Sequence, residues 1–190
     1  MKVEYIVNRV FTSRSYILSS EDGSKVWLID VGDTDMILGK IGTESSICGL
    51  LLTHAHYDHI YGLPSLVGTY PDCPIYTNAA GKVALSDPKK NLSRYHDDSI
   101  SFVSDRIVIV GEGSRIPLFD DIVAEVLETP GHNPSCLSFK IGTYLFTGDA
   151  YIPGENVVTL LPGADKLLAN KSLERIISIS RGMVVLPGHE

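Results

Sequence analysis

The chain has 190 residues, 44% apolar and 21% charged, with a net charge of −7. Such a composition belongs to a soluble globular protein. The length fits a single domain, 1–190, that buries about 70% of its unfolded surface. No run of cations is longer than Lys89-Lys90, which argues against a nucleic-acid partner, because displacing phosphate counterions needs clustered Lys and Arg. The small excess of acid leaves a small-molecule substrate open.

The N-terminal stretch MKVEYIVNRVF carries Glu4 and Arg9 among its apolar residues, so it reads as neither a signal peptide nor a membrane span. Three unevenly spaced cysteines, Cys48, Cys73 and Cys136, lack a C-x-x-C pair and suggest reduced thiols in a cytoplasmic protein. Val3 to Phe11, Ser15 to Ser19 and Lys25 to Asp30 are β-branched or aromatic runs, with a hairpin turn at Glu21-Asp22-Gly23. Ile47 to Thr53 is a fourth strand, apolar enough to be buried on both faces. It runs into Thr53-His54-Ala55-His56-Tyr57-Asp58-His59. Ile60, Leu63, Leu66 and Val67 then take helical spacing.

Pro74 to Thr77 is a short strand, and Asn78 caps a helix through Leu85. Asp87 to Ser99 is polar and aperiodic and reads as an exposed loop, in which Arg94, Tyr95 and His96 are candidates for binding a substrate anion. Strands follow at Ser101 to Val110, Ser114 to Leu118 and Ile122 to Glu128, the last broken by Thr129-Pro130-Gly131-His132. Cys136 to Ile141 and Thr143 to Phe146 form a hairpin about Gly142 that ends at Gly148-Asp149. Ala150 to Lys171 is a second candidate pocket loop, followed by a helix marked by Leu173, Ile176, Ile177 and Ser180. Met183 to Leu186 is the final strand, ending in Pro187-Gly188-His189-Glu190. Two strand-rich halves flanked by helices predict an α+β fold, a four-layer αββα sandwich.

Burying a polar group costs a few kcal/mol (about 2–7, depending on the reference) unless it is paired. A cluster of three imidazoles and a carboxylate at the end of a buried strand therefore calls for a metal. Five of the six histidines, and Asp149, sit where a strand runs out into a loop, which is where a rigid sheet positions ligands. Five His and two Asp suffice for two divalent metals. Alternate residues of an extended segment share a face, so His54 and His56 point at one site, and Asp58 and His59 at a neighbouring one. Imidazole and carboxylate suit zinc, with iron and manganese as alternatives. His96 reads as a surface residue, Tyr57 and Cys136 as packing residues.

H-x-H-x-D-H after a buried strand, then T-P-G-H, F-T-G-D and P-G-H, four blocks in order, resembles the metallo-β-lactamase-fold hydrolases from Asp30 onward. The resemblance implies that His54, His56 and His132 hold a first metal, that Asp58, His59 and His189 hold a second, and that Asp149 bridges. It makes Asp30 a structural aspartate beneath the site. It also implies catalysis by a metal-bridging hydroxide attacking a carbonyl carbon, with Asp149 fixing the metals and Asp58 orienting the nucleophile. β-Lactam-cleaving members replace the bridging carboxylate by Cys or Ser, so Asp149 points to thioester, lactone or phosphodiester hydrolysis. The G-H-E ending is similar to that of hydroxyacylglutathione hydrolases (glyoxalase II). Those enzymes carry a further C-terminal helical segment that binds glutathione, which this sequence does not contain, so a smaller or different ester or thioester is expected. Persulfide dioxygenases share the blocks but use one iron, held by the residues matching His54, His132 and Asp149, and are the redox alternative. His189 lies next to the last residue, where chains tend to fray, and a labile second site is expected.

Overall fold

The computed structural model describes residues 1–42 and 45–190. Its first half is a six-stranded sheet built by β1 (Lys2–Val7), β2 (Arg14–Ser19), β3 (Lys25–Ile29), β4 (Ser46–Leu51), β5 (Ile75–Thr77) and β6 (Ile107–Ile109), in that order across the sheet. The hairpins β1–β2 and β2–β3 are antiparallel. From β3 onward the pairings are parallel, and parallel neighbours need crossover connections. The crossovers carry α1 (Thr34–Ile41), α2 (Tyr57–Ile60), α3 (Leu63–Thr69) and α4 (Ala79–Leu85). The second sheet runs β11 (Val184–Pro187), β10 (Tyr144–Gly148), β9 (Leu137–Ile141), β8 (Ile122–Glu128) and β7 (Arg115–Phe119) across its width. It is antiparallel except for the β10–β11 pair, and α5 (Lys166–Ile179) packs on it.

The period-2 alternation of strand side chains divides the core into three. Val26, Leu28, Leu50 and Leu52 pack outward against Ile37, Ile60, Leu63 and Leu66 of the helices. Trp27, Ile29 and Leu51 face inward, against Phe139, Ile141 and Phe146 of the second sheet. Leu127 and Leu145 pack against Ile176 of α5. The result is the expected αββα sandwich, and Ile47 to Leu52 is buried from both sides. Trp27 Nε1 donates to the Leu118 carbonyl at 3.0 Å, tying one sheet to the other.

Several expected boundaries shift. The first strand stops at Val7, because Phe11 and Thr12 adopt φ of 52° and 53°, a left-handed turn no strand contains. The helix over Thr34–Ile41 was not anticipated; Gly39 and the short length blur its period. The helix after the histidine cluster is two pieces, split at Tyr61 and Gly62. A Cβ at Gly62 would lie 2.0 Å from the Gly32 carbonyl oxygen, so that close approach requires glycine. Strand Ser101–Val110 shrinks to Ile107–Ile109. Residues 87–99 are not simply exposed. Asn91 and Ser93 are fully buried, with Asn91 Nδ2 donating to the Ile100 carbonyl at 2.9 Å. The loop after Asp149 is shorter than expected, since α5 starts at Lys166, where the Asp165 carboxylate accepts from Leu167 and Leu168 N–H. Cys73 and Cys136 are buried and Cys48 half-buried, and all three are free thiols. Among the described residues, no helix is long and apolar enough to cross a membrane.

Candidate metal centre

Strand direction decides where the site lies. β8, β10 and β11 run the same way, and in the facing sheet so do β3 and β4. Each hands its C-terminal end to one of the predicted residues: Asp30 after β3, His54 and His56 after β4, His132 after β8, Asp149 after β10 and His189 after β11. Asp58 and His59 enter from α2. All seven expected ligands meet at one edge of the sandwich. Ligand atoms fall into groups within 4.8 Å of one another: His54, His56 and His132; Asp58, His59 and His189; and a linking group of His54, His59 and Asp149.

The Asp149 carboxylate lies between the first two groups. Its Oδ2 is 3.5 Å from His132 Nε2, 3.9 Å from His54 Nε2 and 3.3 Å from His189 Nε2. Asp58 Oδ2 is 3.3 Å from His59 Nε2 and 3.2 Å from His189 Nε2. At the centre, His54 Nε2 and Asp149 Oδ1 are buried without a hydrogen-bond partner. Buried polar atoms are almost always paired, so these two lone-pair atoms without a partner fit a cation. A set of imidazole nitrogens and carboxylate oxygens suits zinc, iron or manganese.

Outer contacts aim the rings. His59 Nδ1 meets Asp30 Oδ2 at 2.9 Å, His132 Nδ1 meets the Val158 carbonyl at 2.9 Å, and His189 Nδ1 meets the Phe11 carbonyl at 2.9 Å. In each case Nε2 is left facing the centre. His56 is turned the other way, with Nδ1 at 2.9 Å from His132 Nε2 and Nε2 at 2.8 Å from Asn133 Nδ2. Asp30 is the buried structural aspartate that was expected. It takes the Thr53 N–H and hydroxyl at 2.7 and 2.6 Å and holds φ of 57°, a strained geometry of the kind found at functional sites.

The two groups differ electrically. Burial lowers the pKa of His54 well below its ordinary value and that of His56 to about 3. Burial would also lower His59 and His189, but neighbouring carboxylates outweigh it. Asp58, Asp149 and Asp30 hold His59 well above its ordinary value, and Asp149 and Asp58 raise His189 to about 10. In return, His59 outweighs the burial of Asp58 and Asp149 and holds both carboxylates well below their usual range.

The last strand is anchored against fraying. Tyr16 Oη donates to the Pro187 carbonyl at 2.6 Å, Arg14 N–H donates to that of Gly188 at 2.7 Å, and Ser13 bridges to His189. A Cβ on Gly188 would fall 2.1 Å from Asp149 Oδ1. Of the three substrate candidates, Tyr95 and His96 line the cavity above the centre and Arg94 does not; the Arg94 guanidinium carbon lies 5.3 Å from the Tyr95 ring. His96, otherwise read as a surface residue, stacks on Tyr57 with centroids 3.8 Å apart. Tyr57 packs as expected but reaches the cavity too. Cys136 stays buried outside the cavity lining. Phe11, Asn133 and Ser135 were missed. Asn133-Pro134 is a turn signal, and its Oδ1 does accept from Ser135 N–H at 2.9 Å. Nothing in the local sequence marks Phe11.

An αββα sandwich with an imidazole and carboxylate cluster at one edge defines a class of metal-dependent hydrolases. The chain belongs to the metallo-beta-lactamase superfamily, whose family model matches residues 9–189. It is similar to a hydroxyacylglutathione hydrolase of Tolumonas auensis, 25% identical over 93% of this chain and 61% of the relative's length; the chain thus spans less than two thirds of that relative. Two solved structures are also similar. The B3 metallo-beta-lactamase BLEG-1 gives a TM-score of 0.86 at 26% identity, covering 100% of this chain and 92% of that one. TTHA1623, in a di-iron-bound form, gives 0.83 at 28% identity, covering 98% and 92%.

Proposed function

We propose that the chain is a two-metal hydrolase of small thioesters, esters or lactones. The observation that carries this reading is Asp149 Oδ2, placed within 3.9 Å of ligand nitrogens from both groups. His54, His56 and His132 would hold one divalent cation, Asp58, His59 and His189 the other, and Asp149 both. Such a pair, when bound, would supply an acidified water, its pKa lowered from 15.7 toward about 7, and a Lewis acid for a carbonyl oxygen. Zinc suits the donors, and the di-iron form of TTHA1623 keeps iron open.

The chain's own residues do the rest. Asp30 fixes His59, and Asn133 fixes His56, so the imidazoles need not reorganise during the reaction. Asp58 lies on the cavity floor, where its carboxylate can orient the attacking water as well as ligate.

His56→Ala is expected to lose bound metal by elemental analysis and to lower kcat/KM at least about 100-fold, beyond what an outer contact contributes. Full turnover by a metal-free variant would sink the reading. A β-lactam is a second reading, favoured by the likeness to BLEG-1, and a chromogenic cephalosporin tests it on the same sample. Phosphodiesters complete the panel. One iron per chain with oxygen uptake would place the chemistry with the persulfide dioxygenases instead.

A further inference from the structure

The cavity above the metal centre is about 360 Å³. Its floor is made by the ligand residues. Its walls are apolar: Phe11, Leu92, Tyr95, Val158 and Leu161, with the Tyr57–His96 stack, and no lining residue is Lys or Arg. Large apolar side chains are usually withdrawn from solvent, yet Phe11 is 66% exposed and Tyr95 70%. Val158 is 51% exposed and Leu161 36%. An exposed apolar cluster gathered around one opening marks a binding surface.

Two of these residues are held in place by the centre itself. The Phe11 carbonyl accepts from His189 and the Val158 carbonyl from His132, both at 2.9 Å. Phe11 also keeps φ of 52° and meets the His96 ring edge-on, with centroids 5.9 Å apart. Wall and ligands are thus in register, so a group packed on the wall has a set distance from the metals. Lys89 and Lys90, the one pair of adjacent cations, line a different cavity of about 560 Å³ behind Asn133 and Pro134, which shares no lining residue with the first.

We propose that the site selects neutral substrates that seat an apolar or aromatic group among Phe11, Tyr95, Val158 and Leu161, and that it discriminates against substrates with an anionic tail, glutathione thioesters included. The inference rests on the hydrolase reading and narrows it to a substrate class. The physical basis is twofold. Each methylene moved from water onto the wall is worth up to about fourfold in kcat/KM. A carboxylate packed on this wall would lose hydration without meeting a Lys or Arg among the lining residues, since Arg94 lies behind the Tyr95 ring and outside the lining.

The test uses the metal-reconstituted protein with N-acetylcysteamine thioesters from acetyl to octanoyl, phenylacetyl and succinyl, and glutathione thioesters of the same acyl groups. kcat/KM is expected to rise about two- to fourfold per methylene up to hexanoyl, and to be at least about tenfold lower for each glutathione or succinyl partner. Phe11→Ala and Tyr95→Ala should flatten the chain-length series through KM, with the acetyl substrate changed least, and Leu161→Lys should narrow the gap to the anionic substrates. Lys89→Ala with Lys90→Ala should leave both series unchanged. A flat series, preference for the anionic substrates, or their loss in the double lysine variant would overturn the inference. A binding arm separates it from the hydrolase reading. Calorimetric titration with 4-phenyl-2-butanone should give tighter binding than with 4-oxopentanoate, and equal or reversed affinities would overturn it. Apolar preference in binding without turnover of any substrate would overturn the hydrolase reading alone.

Discussion

The two ligand groups use the same chemistry in opposite electrostatic settings. His54, His56 and His132 stand at strand ends, and burial keeps the protons off His54 and His56. Asp58, His59 and His189 come from a four-residue helix and the end of β11. Three carboxylates, Asp58, Asp149 and Asp30, hold the proton on His59, and two of them, Asp149 and Asp58, hold it on His189. A cation entering the first group meets His54 and His56 already neutral; one entering the second must displace protons from His59 and His189. Equal donor counts therefore do not mean equal affinity.

The largest test of this contrast is Asp149→Asn, which removes the charge between the two groups. Metal content should fall at both sites, with kcat/KM reduced at least about 100-fold; full retention of both cations by elemental analysis would deny Asp149 its joint role. Asp30→Asn acts on the second group directly, through His59, and on the first only through the Thr53 hydroxyl, which lies 3.2 Å from His54 Nδ1. It should weaken the second cation about 10- to 100-fold and the first less, read by competition with a chelator.

The pH dependence separates the groups without mutation. His189 titrates near 10 when no metal is bound, against about 6.5 in the unfolded chain. Its raised pKa stabilises the metal-free fold fully below pH 6.5, and that stabilisation is lost as pH rises through about 10. Tm of the chelated protein should therefore fall over that window. Occupancy of the second site should rise over the same window and that of the first stay level. A Tm that rises from pH 6.5 to 10 without metal would contradict the assignment. The smallest effect is steric. Gly188→Ala pushes a methyl toward Asp149 and should cost about 1–3 kcal/mol in stability, with the second cation loosened more than the first.

Much of the site was legible because ligand types and strand ends are local features. The H-x-H-x-D-H run, the breaks at Thr129 and Gly148, and the strand periods needed no knowledge of distance. Residues whose roles depend on a remote neighbour were not legible. Phe11 looks like the end of a strand until its carbonyl is seen under His189, 178 positions away. Asn133 looks like a turn residue until its amide is seen on His56. Arg94 and Tyr95 are adjacent, and only the backbone turn decides that Tyr95 faces the cavity and Arg94 does not.

The sequence by itself determined the layers and the donor set, since alternation and ligand chemistry are properties of residue type and short spacing. The tertiary structure alone decided the rest. It placed Asp149 between the groups, set carboxylates around His59 and His189, and gathered an apolar wall over the candidate metal site. Those properties depend on burial and on distances of 3–4 Å between segments far apart in the chain, and Coulomb energy and desolvation follow such distances rather than sequence separation.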